Sequence, residues 1–196
     1  MSDKQYVRAF IAIELPPSIR RSLWDIERTL QSRPSRSIKW VPEGNIHLTL
    51  KFLGDVPVSQ TPDITAAMDE VACKVQPVHL HVTGLGAFPG RARPRVIWAG
   101  LGGDTETLAT MAAGIDVALL ELGFSRETRP FTPHLTLARV RPEAPASEIS
   151  TMGEALASTR IPEGLAFIAD GVTLMKSVLS PEGASYSRLA TASFGS

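Results

Sequence analysis

What this sequence lacks already excludes several classes of protein. Cys73 is its only cysteine, so no disulfide can form within the chain. Lys and Arg together number 20, as do Asp and Glu, so the chain lacks the basic excess that proteins tracking long nucleic acids usually carry. This balance favours a small anionic substrate or contact with only the end of a polymer. The N-terminal apolar run at 9–13 is too short for a signal peptide or a membrane span, and we therefore expect a cytoplasmic protein without membrane contact.

The hydrophobic content, 43% of 196 residues, suffices for one domain or for two small lobes that share a core. Helices interleave with strands, but hairpins also occur, so the pattern predicts a mixed α+β fold. In the first helix, Leu23, Ile26 and Leu30 predict the buried face, whereas Glu27 is assigned to the solvent side. Besides the two histidine strands described next, the predicted elements are strands at 7–15, 38–42, 78–88, 93–101, 164–179 and 185–193, and helices that begin near residues 18, 61, 104 and 147.

Two predicted strands contain the same tetrapeptide, His-Leu-Thr-Leu, at 47–50 and at 134–137. Alternate residues of a strand share a face, so each histidine is predicted to point the same way as the threonine two residues later, while the leucines enter the core. Because the two strands hold corresponding places, each followed by a helix, we interpret residues 1–196 as one domain with an internal duplication. We expect two similar lobes, each with a mostly antiparallel sheet and outer helices, that share a central cleft. The other two histidines, His79 and His81, lack a threonine partner and are assigned to a solvated strand face.

Two imidazoles and two hydroxyls in one cleft indicate phosphate chemistry. Hydroxyls can donate to phosphoryl oxygens, and imidazoles exchange protons near neutral pH. The sequence places no carboxylate beside either histidine, so it lacks both the usual further ligands of a metal site and the orienting acid of a Ser-His-Asp triad. We therefore predict a phosphate-ester enzyme, without metal or cofactor, in which one histidine is the general acid and the other the general base. The alternative is that both histidines are ordinary polar residues on a strand face.

The paired motifs resemble those of the 2H phosphoesterase superfamily, and more closely those of the RNA 2′,3′-cyclic phosphodiesterases, also called the 2′-5′ RNA ligase (LigT-like) family. The resemblance implies the bilobal LigT-like fold and hydrolysis of RNA 2′,3′-cyclic phosphate ends to 2′-phosphates without a metal. It runs nearly the whole length of the chain, through RAFIAIELP (8–16), WVPEGNIHLTLKFLG (40–54), GAFP (86–89), PRVIWAG (94–100), RPFTPHLTLAR (129–139) and KSVLSPEGASY (176–186).

The resemblance implies a role for each residue of the two motifs. His47 and His134 match the catalytic positions; we assign His47 as the proton donor and His134 as the proton acceptor, and the near symmetry of the site leaves the reverse assignment open. Thr49 and Thr136 match the positions that bind the phosphate.

Four further residues match family positions outside the histidine-threonine pairs. Arg139 matches an arginine that contacts the phosphate, and Phe52, at the same offset after the first motif, would pack against the nucleoside. Strict alternation turns both away from their histidines, so we expect a bulge, a twist or the end of the strand to redirect them. Arg129 and Tyr186 also match recurrent positions, where a structural role is the alternative.

The implied substrates are RNA 3′ ends and nucleoside 2′,3′-cyclic phosphates, bound by a monomer that needs no protein partner. Three other functions stay open: joining of RNA ends through a 2′-5′ linkage, hydrolysis of another cyclic phosphate such as that of ADP-ribose, and RNA-end binding without catalysis. Further residues could contact RNA or could instead be solvated loop residues and core residues. They are the arginines at 91, 93, 95, 126 and 141 and the aromatic residues Trp40 and Phe131.

Overall fold

The computed structural model describes residues 5–31, 36–181 and 183–195, and it confirms the mixed α+β fold. Two 3₁₀ helices, Glu43–Asn45 and Val58–Gln60, precede and follow the first histidine strand. None of the helices in the described residues is long and apolar enough to cross a membrane. The strands and α-helices are β1 (Tyr6–Glu14), α1 (Pro17–Gln31), β2 (Ile38–Trp40), β3 (His47–Pro57), α2 (Thr61–Ala72), β4 (Val78–Phe88), β5 (Val96–Gly103), α3 (Thr105–Ala118), β6 (His134–Val140), α4 (Ala146–Ser158), β7 (Ala166–Ala169), β8 (Gly171–Ser180) and β9 (Gly183–Ser193).

The strands form one nine-stranded sheet in two parts, and its described pairings are all antiparallel. The first lobe consists of β3, β1, β8 and β9 in that order, and the second lobe of β7, β4, β5 and β6, with β2 also paired to β6. The two lobes meet where β3 pairs with β6 through one pair of residues, Leu48 and Leu135. The strands that carry the two histidines are therefore the strands that join the lobes.

The two faces of the sheet bury different sets of side chains. One large hydrophobic cluster extends through both lobes and includes Ile11, Leu48, Ile97 and Leu135, each 0% exposed. The helices lie on this side, with α2 against β8 and β9 and α4 against β4. On the opposite face of the first lobe, a small separate cluster is formed by Phe10, Ala12 and Met175, with Tyr186 packed against it. That opposite face is the cleft, and the helices leave it open to a ligand.

The predicted strand at 164–179 is two strands, because its halves belong to different lobes. β7 pairs with β4 in the second lobe, whereas β8 pairs with β1 in the first. The chain changes lobe at Asp170, whose carbonyl accepts a hydrogen bond from the backbone N–H of Phe194 (2.8 Å). Local periodicity contains no information about this change of partner, so the sequence alone predicts a continuous strand.

The assignment of Glu27 to the solvent side of α1 is wrong. Its side chain is 0% exposed and lies on the same helix face as Leu23 and Leu30, as its position four residues after Leu23 requires. Neither carboxylate oxygen has a hydrogen-bond partner in the described part of the chain. Burial therefore raises the pKa of Glu27 from 4.5 to about 8.

We expect Glu27 to make the protein less stable as the pH rises. In the folded state its carboxyl keeps a proton up to about pH 8, whereas in the unfolded chain it loses the proton near pH 4.5. Stability should therefore fall between about pH 4.5 and pH 8, by several kcal/mol at most, and level off above that range. Glu27→Gln and Glu27→Met should both remove this component of the pH dependence, and Glu27→Met should be more stable than the parent at pH 8. Urea unfolding at pH 5, 6.5 and 8 measures the free energy of unfolding at each pH. If that free energy fell with pH as steeply in Glu27→Gln as in the parent, the prediction would be contradicted.

Candidate active site

The Leu48–Leu135 pair determines how the two His-x-Thr motifs face each other. Both leucines point into the core, so the residues on either side of each point to the cleft. Extending the antiparallel register by one residue sets His47 opposite Thr136 and Thr49 opposite His134. The two histidines are then diagonal neighbours, a relation that usually separates Cα atoms by about 7–8 Å. This register places both imidazoles and both hydroxyls on the same face of the sheet, on either side of the leucine pair.

A backbone carbonyl fixes the tautomer of each histidine. Nδ1 of His47 lies 2.7 Å from the carbonyl oxygen of Asn45, and Nδ1 of His134 lies 2.7 Å from that of Thr132. A carbonyl oxygen can only accept, so each Nδ1 carries a hydrogen and donates. Each neutral ring is therefore left with a lone pair on Nε2, and each protonated ring with an Nε2–H. Proton exchange with a ligand occurs at Nε2 in both cases.

Asn45 connects His47 to the β8–β9 hairpin. Besides the carbonyl that receives His47 Nδ1–H, its side-chain Nδ2 donates to the carbonyl oxygen of Ala184 (2.6 Å). Ala184 lies in the same hairpin as Tyr186, whose ring contacts His47 edge-on at 5.2 Å between centroids. The 3₁₀ helix before β3 thus holds the imidazole and the hairpin that covers it.

His47 and His134 have different surroundings. The His47 ring stacks on Phe10 (4.7 Å between centroids, 28° between planes) and meets the edge of Tyr186. His134 has an edge-on contact with Phe88 at 5.0 Å. Burial lowers the pKa of His47, while the hydrogen bond to Asn45 and the negative charge of Glu14 act in the opposite direction. The two imidazoles of the site are therefore not electrostatically equivalent.

Glu14 corrects the expectation that neither histidine has a carboxylate nearby. It is the residue of β1 directly opposite His47 in β3. Its Oε2 accepts hydrogen bonds from Arg188 Nε (2.6 Å) and Thr173 Oγ1 (3.2 Å). In the sequence, Glu14 is recognisable only as a charged residue at the end of a hydrophobic strand. That it lies beside His47 follows only from the pairing of β1 with β3.

Two bulges turn Phe52 and Arg139 to the cleft, as expected for these positions. In β3 the partners change from Ala12–Thr49 to Ile11–Lys51, so Leu50 is the extra residue and Phe52 comes opposite Phe10. In β6 they change from Trp98–Thr136 to Ile97–Ala138, so Leu137 is extra and Arg139 comes opposite Val96. Each bulge directly follows the threonine of its motif. Both side chains then share a face with their histidine, and both are exposed, Phe52 by 66%.

Two further charged residues, Lys39 and Arg8, lie on the cleft face and were not singled out from the sequence as site residues. Lys39 pairs with Arg139 across β2 and β6, and its side chain is exposed. Arg8, in β1, pairs with Ser177, which in turn pairs with Tyr186. Burial raises the pKa of the Tyr186 hydroxyl, and the positive charges of Arg139 and Arg8 act against this shift. Tyr186 of the first lobe is thus within electrostatic reach of Arg139 of the second lobe.

The remaining residues named from the sequence lie in several environments. Arg129 pairs with Glu127 (3.1 Å), and Arg91 donates to the carbonyl oxygen of Leu85 (3.1 Å). Trp40 and Phe131 are half-buried and pack against the main core. The histidines at 79 and 81 are exposed, as predicted, and so are the arginines at 93, 95, 126 and 141. Within the described chain, no group of three or more His, Cys, Asp or Glu side chains is arranged to hold a metal ion.

A buried ion pair ties the loop before β6 to the first histidine strand. Lys51, 8% exposed, lies two residues after Thr49, and its Nζ donates to Asp116 Oδ1 and to the carbonyl oxygen of Ser125 (2.8 Å). Asp116 in turn accepts the backbone N–H of Glu127 (3.1 Å). Since this loop continues to Thr132, whose carbonyl holds His134, the ion pair links the supports of both histidines.

The chain matches the sequence model of a family described as "LigT like Phosphoesterase" over residues 13–98 and 103–186. An RNA 2′,3′-cyclic phosphodiesterase of Thermus thermophilus is 33% identical over 192 residues, which cover 93% of this chain and 88% of that protein. A protein of the same description from Geobacillus stearothermophilus is 38% identical over 131 residues, 66% of this chain and 41% of the relative. The crystal structure of the Thermus thermophilus protein TT0787 superimposes with a TM-score of 0.75 at 32% identity, covering 95% of this chain and 97% of that one.

We expect Lys51→Met to destabilise the protein strongly, because Asp116, only 13% exposed, would be left as a buried charge without its partner. Loss of one partner from such a pair typically costs about 3–5 kcal/mol. The double variant Lys51→Met/Asp116→Leu should recover part of that loss, since no charge remains to be compensated. Chemical denaturation at constant pH measures all three proteins. A single variant as stable as the parent would contradict this account.

The charge of Glu14 should help His47 to keep its proton. We expect Glu14→Gln to lower the pKa of His47 further, because a negative charge opposite the imidazole is removed. Titration of the imidazole ¹⁵N signals by NMR measures this value directly. Glu154→Gln, a change of the same charge on the exposed side of α4, is the matched control and should leave it unchanged. If the pKa of His47 were the same in Glu14→Gln as in the parent, the two groups would not interact.

Proposed function

Because the chain belongs to the LigT like phosphoesterase family, we propose that it hydrolyses the 2′,3′-cyclic phosphate of RNA 3′ ends and of nucleoside 2′,3′-cyclic phosphates to a 2′-phosphate. The observation that carries this proposal is the meeting of the two His-x-Thr motifs on one face, on either side of the Leu48–Leu135 pair. The names of the relatives from Thermus thermophilus and Geobacillus stearothermophilus support the same activity.

In the proposed reaction, each histidine uses its Nε2 for one proton transfer. Nε2 of His134 accepts a proton from water as the water oxygen attacks phosphorus. The bond between phosphorus and O3′ breaks, and Nε2–H of His47 donates its proton to O3′. The products are a 2′-phosphate and a free 3′-hydroxyl. Solvent then returns a proton to His47 and removes one from His134.

Charge that develops on the phosphoryl oxygens would be stabilised by groups that already point to the cleft. Thr49 and Thr136 can each donate a hydroxyl hydrogen, and the guanidinium of Arg139 can donate two hydrogen bonds and offset the charge. Arg139 reaches this face because of the bulge at Leu137. We propose that these three side chains bind the phosphate in the ground state and more strongly in the transition state.

We propose that Phe52 packs against the nucleoside that carries the cyclic phosphate. Its ring is 66% exposed and 6.0 Å from that of Phe10, so an aromatic surface is available beside His47. Base–aromatic stacking is tolerant of sequence, which suits an enzyme that acts on many RNA ends.

We also propose that the protein works in the cytoplasm as a monomer, as one bilobal domain that arose by internal duplication. The duplication is supported by features that recur in both lobes: a histidine held by the carbonyl two residues before it, and a bulge after each motif threonine.

The two histidine roles can be separated with a substrate in which sulfur replaces O3′. A thiolate leaves without a proton, so this substrate does not need a general acid. With the natural substrate, His47→Ala and His134→Ala should each lower kcat by about 10²–10⁴-fold. With the sulfur substrate, His47→Ala should regain most of its activity, whereas His134→Ala should stay slow because water must still be deprotonated.

Metal-free assays of uridine 2′,3′-cyclic phosphate, with the position of the product phosphate read by ³¹P NMR, provide the measurement. Rescue of His134→Ala instead of His47→Ala would reverse the two roles. A 3′-phosphate product would show that the ring opens at the other oxygen. Parent-like turnover by both alanine variants would overturn the proposed catalytic site.

A further inference from the structure

A groove of about 420 Å³ lies beside His134, on the side away from His47. Gly100 of β5 is directly opposite His134 in the sheet, and Pro133 precedes the histidine, so the groove begins at the proposed site. It continues to the first turn of α3, and its volume is within the range of ordinary small-ligand sites. Its lining residues are Thr83, Trp98, Gly100, Leu101, Thr105, Glu106, Ala109, Phe131 and Pro133.

Glycine keeps the floor of this groove open. A Cβ atom on Gly100 would lie 2.7 Å from Thr83 Oγ1 and 3.2 Å from the Trp98 ring. On the neighbouring strand, a Cβ atom on Gly86 would lie 2.3 Å from the same indole. Because these two glycines have no side chain, the Trp98 indole and the Thr83 side chain lie close to the backbone of β4 and β5. They form the floor of the groove next to His134.

The lining residues favour a nucleobase and disfavour a phosphate. Glu106 is the one charged residue among the described residues that line the groove, and its carboxylate would repel a phosphate. The other groups are the hydroxyls of Thr83 and Thr105 and the apolar surfaces of Trp98 and Phe131. A carboxylate accepts hydrogen bonds only, so it prefers a base edge with N–H donors. Guanine presents two adjacent donors on its Watson–Crick edge, cytosine and adenine present an amino group beside an acceptor, and uracil presents one N–H between two oxygens.

We infer that this groove binds the base of the nucleotide on the 5′ side of the cyclic phosphate-bearing nucleoside, with a preference for guanine. The inference rests on the proposed function, which places the terminal nucleoside against Phe52 on the other side of the phosphate. The preceding nucleotide is joined to O5′ of the terminal ribose, and in this arrangement it extends from there over β6 into the second lobe, where Glu106 accepts the N1–H and N2–H groups of guanine. At the same position, uracil has a carbonyl oxygen on each side of its single N–H. These oxygens would face the carboxylate and be repelled by it.

The test compares kcat/KM for uridine 2′,3′-cyclic phosphate with that for dinucleotides that carry guanosine, adenosine, cytidine, uridine or an abasic residue before the same terminal uridine. The parent should process the guanosine dinucleotide at least about fivefold faster than the uridine dinucleotide, the lower limit for a good bidentate base contact. The abasic dinucleotide should be no better than the mononucleotide. Glu106→Gln should abolish the difference between guanosine and uridine while leaving the mononucleotide unaffected.

Two further variants separate occupancy of the groove from a general effect of charge. Ala109→Leu places a larger side chain in the groove and should remove the advantage of every dinucleotide over the mononucleotide. Glu121→Gln, an exposed change of the same charge beyond the end of α3, should behave as the parent. Equal rates for all dinucleotides in the parent, or loss of mononucleotide turnover in Glu106→Gln, would overturn the inference. Absence of turnover of every cyclic phosphate by the parent would instead refute the proposed function itself.

Discussion

The contact on which the candidate site depends is the pair of leucines that joins the two lobes. Leu48 and Leu135 are both fully buried, and they are the one residue pair through which β3 and β6 meet in the described ladder. Because each is held in the core, its neighbours along the strand must point to the cleft. A shift of either strand by one residue would turn a histidine and a threonine into the core and expose leucines instead. Hydrophobic burial thus sets the direction in which these polar groups point, and the carbonyls of Asn45 and Thr132 then orient the two imidazoles.

The two bulges show how one structural device gives different chemistry in each lobe. Both follow the same His-Leu-Thr-Leu sequence, and both bring the residue five positions after the histidine to the cleft. In the first lobe that residue is Phe52, and in the second it is Arg139. A symmetrical scaffold therefore carries an apolar surface on one side of the site and a cation on the other. In the proposed function, this difference lets the site distinguish the nucleoside side of a substrate from its phosphoryl oxygens.

The sequence alone predicted those features that depend on local pattern. The α+β class, the strands of the two motifs and the buried leucines follow from alternation and helical spacing. The family resemblance placed Arg139 and Phe52 beside their histidines, and alternation then required a bulge, a twist or the end of the strand to redirect them. Other features depend on which strands become neighbours, and no local pattern contains this information. Glu14 beside His47 and the break between β7 and β8 are of this kind. Glu27 is a different case: its helical position indicated burial, and its charge suggested exposure.

The unequal surroundings of the two histidines bear on the direction of proton transfer. Acid–base catalysis needs one ring protonated and the other neutral, and a difference between the surroundings of the two rings decides which of them holds the proton. Packing between Phe10 and Tyr186 withdraws His47 from water and lowers its pKa, which makes its imidazolium a stronger acid. Glu14, held by Arg188, acts in the opposite direction and limits that fall. A ring that still takes up a proton but releases it readily suits a group that must protonate a departing alkoxide, and this is the role proposed for His47.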